Sequence, residues 1–135
     1  MHTNPLHTPA LFSSAFMLML ATGCTDKTQD TATEITYQAV LDDVLMPSCG
    51  FSSCHGEGAG FLTISADQTE DDWLALESSE IPGIKLIEPG SASTSYLVMK
   101  LEEAEDIVGT VMPPSGMMEQ SRIDKIRAWI DSIPE

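Results

Sequence analysis

The chain has 135 residues, enough for one small domain. Its 21 Asp and Glu against 6 Lys and Arg give a net charge of -15. That balance disfavours nucleic acid and anionic lipid headgroups as partners, and it suits a solvated surface or one that meets a basic protein.

At the N-terminus, residues 10–21, "ALFSSAFMLMLA", form an apolar run. It is short for a membrane span, which needs about 20 residues, and matches the apolar core of a secretory signal. The run leads into "LATGC", ending at Cys24, which resembles the lipobox of bacterial lipoproteins. The resemblance implies export, cleavage before Cys24, lipidation of Cys24 and anchoring to a membrane. Thr25 after the cysteine, in place of Asp, implies the outer membrane, facing the periplasm or the cell surface. Residues 1–23 are then a lipoprotein signal peptide. Residues 24–33, with the polar stretch "TDKTQDTAT", are a lipidated, flexible tether. A domain over residues 34–135 follows. Loss of His2 and His7 with the signal leaves His55 as its sole histidine. Cys49 and Cys54 become the only cysteines not used for lipid, in an oxidising compartment.

Within the domain the spacing predicts four helices and long loops. The first covers residues 34–46, where Ile35, Tyr37, Val40, Leu41, Val44 and Leu45 recur at three and four, with Thr33 or Thr36 as cap and Pro47 as terminator. Residues 48–60, "SCGFSSCHGEGAG", read as loop. Residues 61–65, "FLTIS", have β character but are too short to build a sheet. A second helix is expected over 67–77, with an acidic first turn that complements the helix dipole and with Trp73, Leu74 and Leu76 facing inward. Pro89-Gly90 marks a turn, and a third helix covers 93–105. Residues 109–116, "GTVMPPSG", form a rigid loop. The last helix, 121–133, carries Ile123, Ile126, Ile130 and Ile133 on one stripe, with Ser121 as its cap and Arg127 and Trp129 on the flanks. So little regular structure makes a thin core, a deficit that a bound prosthetic group would fill.

The chemistry concentrates in "CGFSSCHG", Cys49 to Gly56. Three readings compete. Two thiolates and an imidazole supply three zinc ligands, leaving a carboxylate to be found for the fourth. A disulfide between Cys49 and Cys54 closes a small loop, as exported proteins with two cysteines usually do, but leaves His55 unexplained. Haem attachment uses two cysteines to hold the porphyrin edge and the following histidine to reach the iron. Here four residues separate the cysteines in place of two. Gly50, Ser52 and Ser53 permit the bulge this requires, and Cys54 and His55 stay adjacent.

Taken together, Cys49, Cys54, His55 and Gly56, then Pro89-Gly90, then Ser95-Tyr96-Leu97, then Met112-Pro113-Pro114, then Trp129-Ile130 follow one order. In that order the chain resembles class I cytochrome c-type domains of exported bacterial lipoproteins, myxobacterial or planctomycete-like, over roughly residues 37–133. The resemblance implies a mostly α, small cytochrome c-like helical domain with long loops around a haem. It implies one haem c per chain, bound covalently through Cys49 and Cys54, with His55 as the proximal axial ligand of the iron.

The chain then has no second histidine for the distal side, and a methionine thioether is the candidate. Met46 is too near the attachment loop and Met99 lies within a helix. Met112 precedes two prolines that extend and stiffen its loop, and it matches the family's methionine. Met117 and Met118 are the reserve. With both axial positions filled no site is open to substrate, so the expected function is one-electron transfer and not enzyme catalysis. The expected partners are the membrane, through the lipid anchor, and a redox protein with a basic docking surface. Two alternatives stand beside this: a haem-free, disulfide-closed lipoprotein acting as a binding or structural module, and a ligand sensor with a labile Met112 bond.

Overall fold

A computed structural model of the chain describes residues 35–58 and 60–135. The signal peptide, Cys24 and the tether expected before residue 34 lie outside the described residues. The domain is small and mostly helical. Among the described residues there is no strand, only an isolated antiparallel bridge between Glu77 and Lys85.

The first helix begins where Thr36 accepts a hydrogen bond from the Ala39 N–H. It runs as α-helix over Tyr37–Val40, as π-helix over Leu41–Leu45 and again as α-helix over Met46–Cys49. Pro47 therefore does not end it, contrary to the sequence reading. Just before Pro47 the helix widens, and the Met46 N–H reaches back five residues to the Leu41 carbonyl. The wide turn accommodates the missing donor and the bulk of the proline ring, which an unbroken α-ladder would not. The helix closes at Gly50, whose N–H bonds to the carbonyls of Leu45 and Met46. As a result Cys49 sits in the last helical turn and not in a loop.

The second helix is shorter than its pattern suggests, Glu70–Leu74. Thr69 and Asp72 form a reciprocal capping box at its start, and Glu70, Asp71 and Asp72 occupy its first turn. After Trp73 the backbone turns to pair with residues further on. The Ser78 N–H bonds to the Ile84 carbonyl and the Leu86 N–H to the Leu76 carbonyl. Trp73 is fully buried, whereas Leu74 and Leu76 are only half-buried. Residues 61–65 form no strand; Phe61 points to solvent, Ile64 is buried in the core and half-buried Leu62 packs against it.

Pro89-Gly90 does form a turn, with Gly90 at φ 70 and its N–H on the Ile130 carbonyl. A 3₁₀ turn, Ala92–Thr94, then leads into a third helix, Tyr96–Leu101. This helix ends early because Glu103 takes a left-handed φ of 55, and the Ala104 N–H bonds back to the Met99 carbonyl.

The last helix, Gln120–Ser132, starts one residue ahead of the expected cap. Ser121 lies inside it, and Glu119 occupies the cap position without a side-chain hydrogen bond. Ile123, Ile126 and Ile130 are buried as the stripe requires, and Trp129 belongs to the buried face and not to its flank. The helix packs on the first helix, the 3₁₀ turn and the third helix. Tyr37 and Trp129 meet where the first and last helices cross, with ring centroids 5.5 Å apart and planes tilted by 46°. The Trp129 indole N–H donates to Glu70 Oε1 at 2.5 Å, which brings the second helix to the same crossing. Arg122 donates to Ser48 Oγ at 2.6 Å, tying the last helix to the turn that carries Cys49.

Candidate functional site

The bulge between the cysteines is a tight turn. The His55 N–H reaches the Cys49 carbonyl at 3.1 Å, and the N–H groups of Cys54 and Gly56 both reach the Phe51 carbonyl at 2.8 Å. The helix end and His55 are thus stapled together across the four residues that separate the cysteines. Gly56 is required by close approach: a Cβ there would stand 2.2 Å from the Gly50 carbonyl oxygen.

Beyond the turn the chain folds back over the imidazole. The Ile64 N–H bonds to the His55 carbonyl at 2.7 Å, and His55 Nδ1 lies 2.9 Å from the Leu62 carbonyl oxygen. A carbonyl can only accept, so Nδ1 carries a proton, and in the neutral ring Nε2 holds the lone pair. Gly60 packs on the same ring; a Cβ there would stand 3.0 Å from both Nδ1 and Cε1.

His55 lines a cavity of about 360 Å³, within the size range of small-molecule and cofactor sites. Its walls are mainly apolar, with Leu62, Ile64, Leu86, Leu97 and Leu101 among them. Cys49 and Met112 line it too. Of the five methionines that follow Cys24, Met112 is the one at this cavity; Met117 is exposed, and Met46, Met99 and Met118 lie elsewhere. Met112 is half-buried, its N–H donates to the Lys100 carbonyl at 2.8 Å, and its peptide bond to Pro113 is cis.

Cys54 is exposed and does not line the cavity, although its neighbour His55 does. Both cysteines are free thiols. Burial, together with the nearby Cys54, pushes the Cys49 thiol up to about 11, so it stays protonated at neutral pH. For the zinc reading, among the described residues no three His, Cys, Asp or Glu side chains converge to hold a metal ion.

One polar cluster on the cavity wall escaped the sequence reading. Lys100, only 6% exposed, donates to Glu80 Oε2 at 2.9 Å and to the Val108 carbonyl at 2.7 Å. Tyr96 donates its hydroxyl proton to Glu80 Oε2 at 2.6 Å and accepts from the Val108 N–H at 3.1 Å. The Tyr96 bond and then Lys100 hold the Glu80 carboxyl below its ordinary range, while burial and Glu80 push the Tyr96 hydroxyl up. The available signal was a lysine set in the apolar run "YLVMKL", which calls for a carboxylate partner. The Leu62 carbonyl and Gly60 carried no such signal.

Among the described residues no helix is long and apolar enough to cross a membrane. Comparison with protein-family models, with curated proteins and with solved structures finds no match to this chain.

Proposed function

We propose that this chain is an exported one-electron carrier with one covalently bound c-type haem, anchored to a membrane as a lipoprotein through Cys24. The observation that carries the reading is the arrangement around His55. Its proton is committed to the Leu62 carbonyl, its lone pair is on Nε2, and it shares one apolar cavity with the Met112 thioether and the Cys49 thiol. An imidazole oriented through its second nitrogen, a soft thioether and a neighbouring thiol are the donor set that suits haem iron and its attachment.

The residues divide the work. Cys49 and Cys54 are the attachment pair, with Cys49 already at the cavity and Cys54 on the exposed turn beside His55. His55 and Met112 would ligate the iron, one held by a backbone carbonyl and the other by its loop. Leu62, Ile64, Leu86, Leu97 and Leu101 exclude water. When bound, the haem supplies the one-electron couple. The net charge of -15 favours a redox partner that presents a basic face.

The test is expression of the full chain with a haem-ligation system. The expected product carries one haem that survives denaturation and acid-acetone extraction, and it fractionates with membranes until Cys24→Ala releases it. A colourless protein with a Cys49–Cys54 disulfide overturns the reading in favour of the haem-free module.

A further inference from the structure

We propose that Glu80, Tyr96 and Lys100 form a clasp that positions Met112, fastening the loop of residues 102–112 to the Tyr96–Leu101 helix. This inference rests on the reading of Met112 as an iron ligand.

The loop has little of its own to hold it. Glu102, Glu103, Glu105, Asp106, Gly109 and Thr110 are exposed, and Val108 is 49% exposed. Packing therefore contributes little along most of its length, and the hydrogen bonds carry the placement. They are specific. Both backbone polar groups of Val108 are taken by side chains one helical turn apart, the N–H by the Tyr96 hydroxyl and the carbonyl by Lys100 Nζ. Four residues on, the Met112 N–H bonds to the backbone carbonyl of that same Lys100. Val108 and Met112 are thus pinned to one helix at two points.

Glu80 sets the polarity of the clasp. By accepting the Tyr96 hydroxyl proton it turns the hydroxyl lone pairs toward the Val108 N–H. By pairing with Lys100 it supplies the counter-charge that a nearly buried ammonium requires. Gly109, at φ 73, carries the loop directly over this pair. Glu80, Tyr96, Lys100 and Met112 all border the same cavity, so loosening the clasp changes how much of the time the thioether is presented there. An electron carrier that keeps the same ligands in both oxidation states needs that presentation to be rigid.

The experiment compares the wild-type full chain with Tyr96→Phe and Lys100→Met. Tyr96→Phe keeps the ring and removes only the hydroxyl; Lys100→Met keeps the length and removes the ammonium, and it decides the matter if Tyr96→Phe does not fold. Amide hydrogen exchange should quicken about tenfold at Val108 and Met112, as the loss of one buried hydrogen bond implies, with the amides of the Gln120–Ser132 helix unchanged. In the haem-loaded ferric protein the near-infrared charge-transfer band of a thioether ligand should weaken. The apparent affinity of the reduced protein for carbon monoxide should rise about tenfold as the open fraction grows. Wild-type exchange at Val108 and Met112 with an undiminished band overturns the clasp. So does exchange that quickens equally throughout the chain, which marks a general loss of stability. A wild-type protein that lacks haem, or has haem without the band, overturns the ligand reading, and the exchange measurement on that same protein still decides the clasp.

Discussion

His55 Nδ1 and the Leu62 carbonyl oxygen are 2.9 Å apart, and Gly60 lies against the ring between them in sequence. The bond orients the ring and strengthens Nε2 as an electron donor to a bound metal. A methyl group at residue 60 would meet Nδ1 and Cε1 at 3.0 Å, closer than ordinary contact, and the ring must yield. Gly60→Ala should therefore stretch the bond to Leu62 and raise the reduction potential of the haem-loaded protein, measured by redox titration. An unchanged potential, with an unchanged imidazole proton resonance, would show that the ring is held from elsewhere.

Gly56 tests the turn itself. Its missing Cβ would meet the Gly50 carbonyl oxygen at 2.2 Å and the Phe51 carbonyl carbon at 3.0 Å, both backbone atoms that cannot swing aside. Gly56→Ala should cost about 2–3 kcal/mol in denaturant unfolding, in the range of overpacked sites, and should lower the yield of haem attachment. Full wild-type stability would mean that the 49–56 turn opens without cost.

The two thiols should differ in the haem-free chain. Cys54 is exposed, whereas Cys49 lies in the last helical turn facing the cavity. With both reduced at pH 8, an alkylating reagent should label Cys54 first and Cys49 much later, read by peptide mass spectrometry. After haem attachment neither should be labelled. Equal labelling rates in the folded haem-free chain would contradict the burial of Cys49.

Glu80 should leave a mark on acid stability. Its folded carboxyl titrates below its ordinary value of 4.5, so in that window the unfolded chain binds more protons and stability rises with pH. The contribution is complete above the ordinary value and is lost as pH falls through the lower folded value. Glu80→Gln should be less stable at pH 7, by about 3 kcal/mol, since the nearly buried Lys100 loses its counter-charge. Its stability should also fall less steeply than wild type below pH 5. The self-repulsion of an acidic surface acts on both proteins, so the difference between their curves isolates Glu80. Parallel curves would show the pair to be solvent-screened.

Periodicity alone determined that this chain makes amphipathic helices. Val40, Leu41, Val44 and Leu45, and then Ile123, Ile126 and Ile130, are buried as their spacing requires, because burying an apolar stripe depends only on which face the helical period creates. The meeting of Tyr37 with Trp129 at the helix crossing lay beyond that logic, which set Trp129 on the flank of its stripe. Local chemistry also made Gly50 to Gly56 a turn and put Met112 ahead of the other methionines. Where helices begin and end was decided by contacts that period does not encode. The π turn carries the first helix past Pro47, the Glu77–Lys85 bridge draws residues away from the second helix, and the left-handed Glu103 cuts the third. The cavity and its wall are tertiary in the same sense. The Leu62 carbonyl reaches His55, and Glu80 reaches Tyr96 and Lys100, across 7, 16 and 20 residues. Such partners are chosen by how the loops fold back, since any carbonyl or carboxylate could serve and only packing brings one within 3 Å.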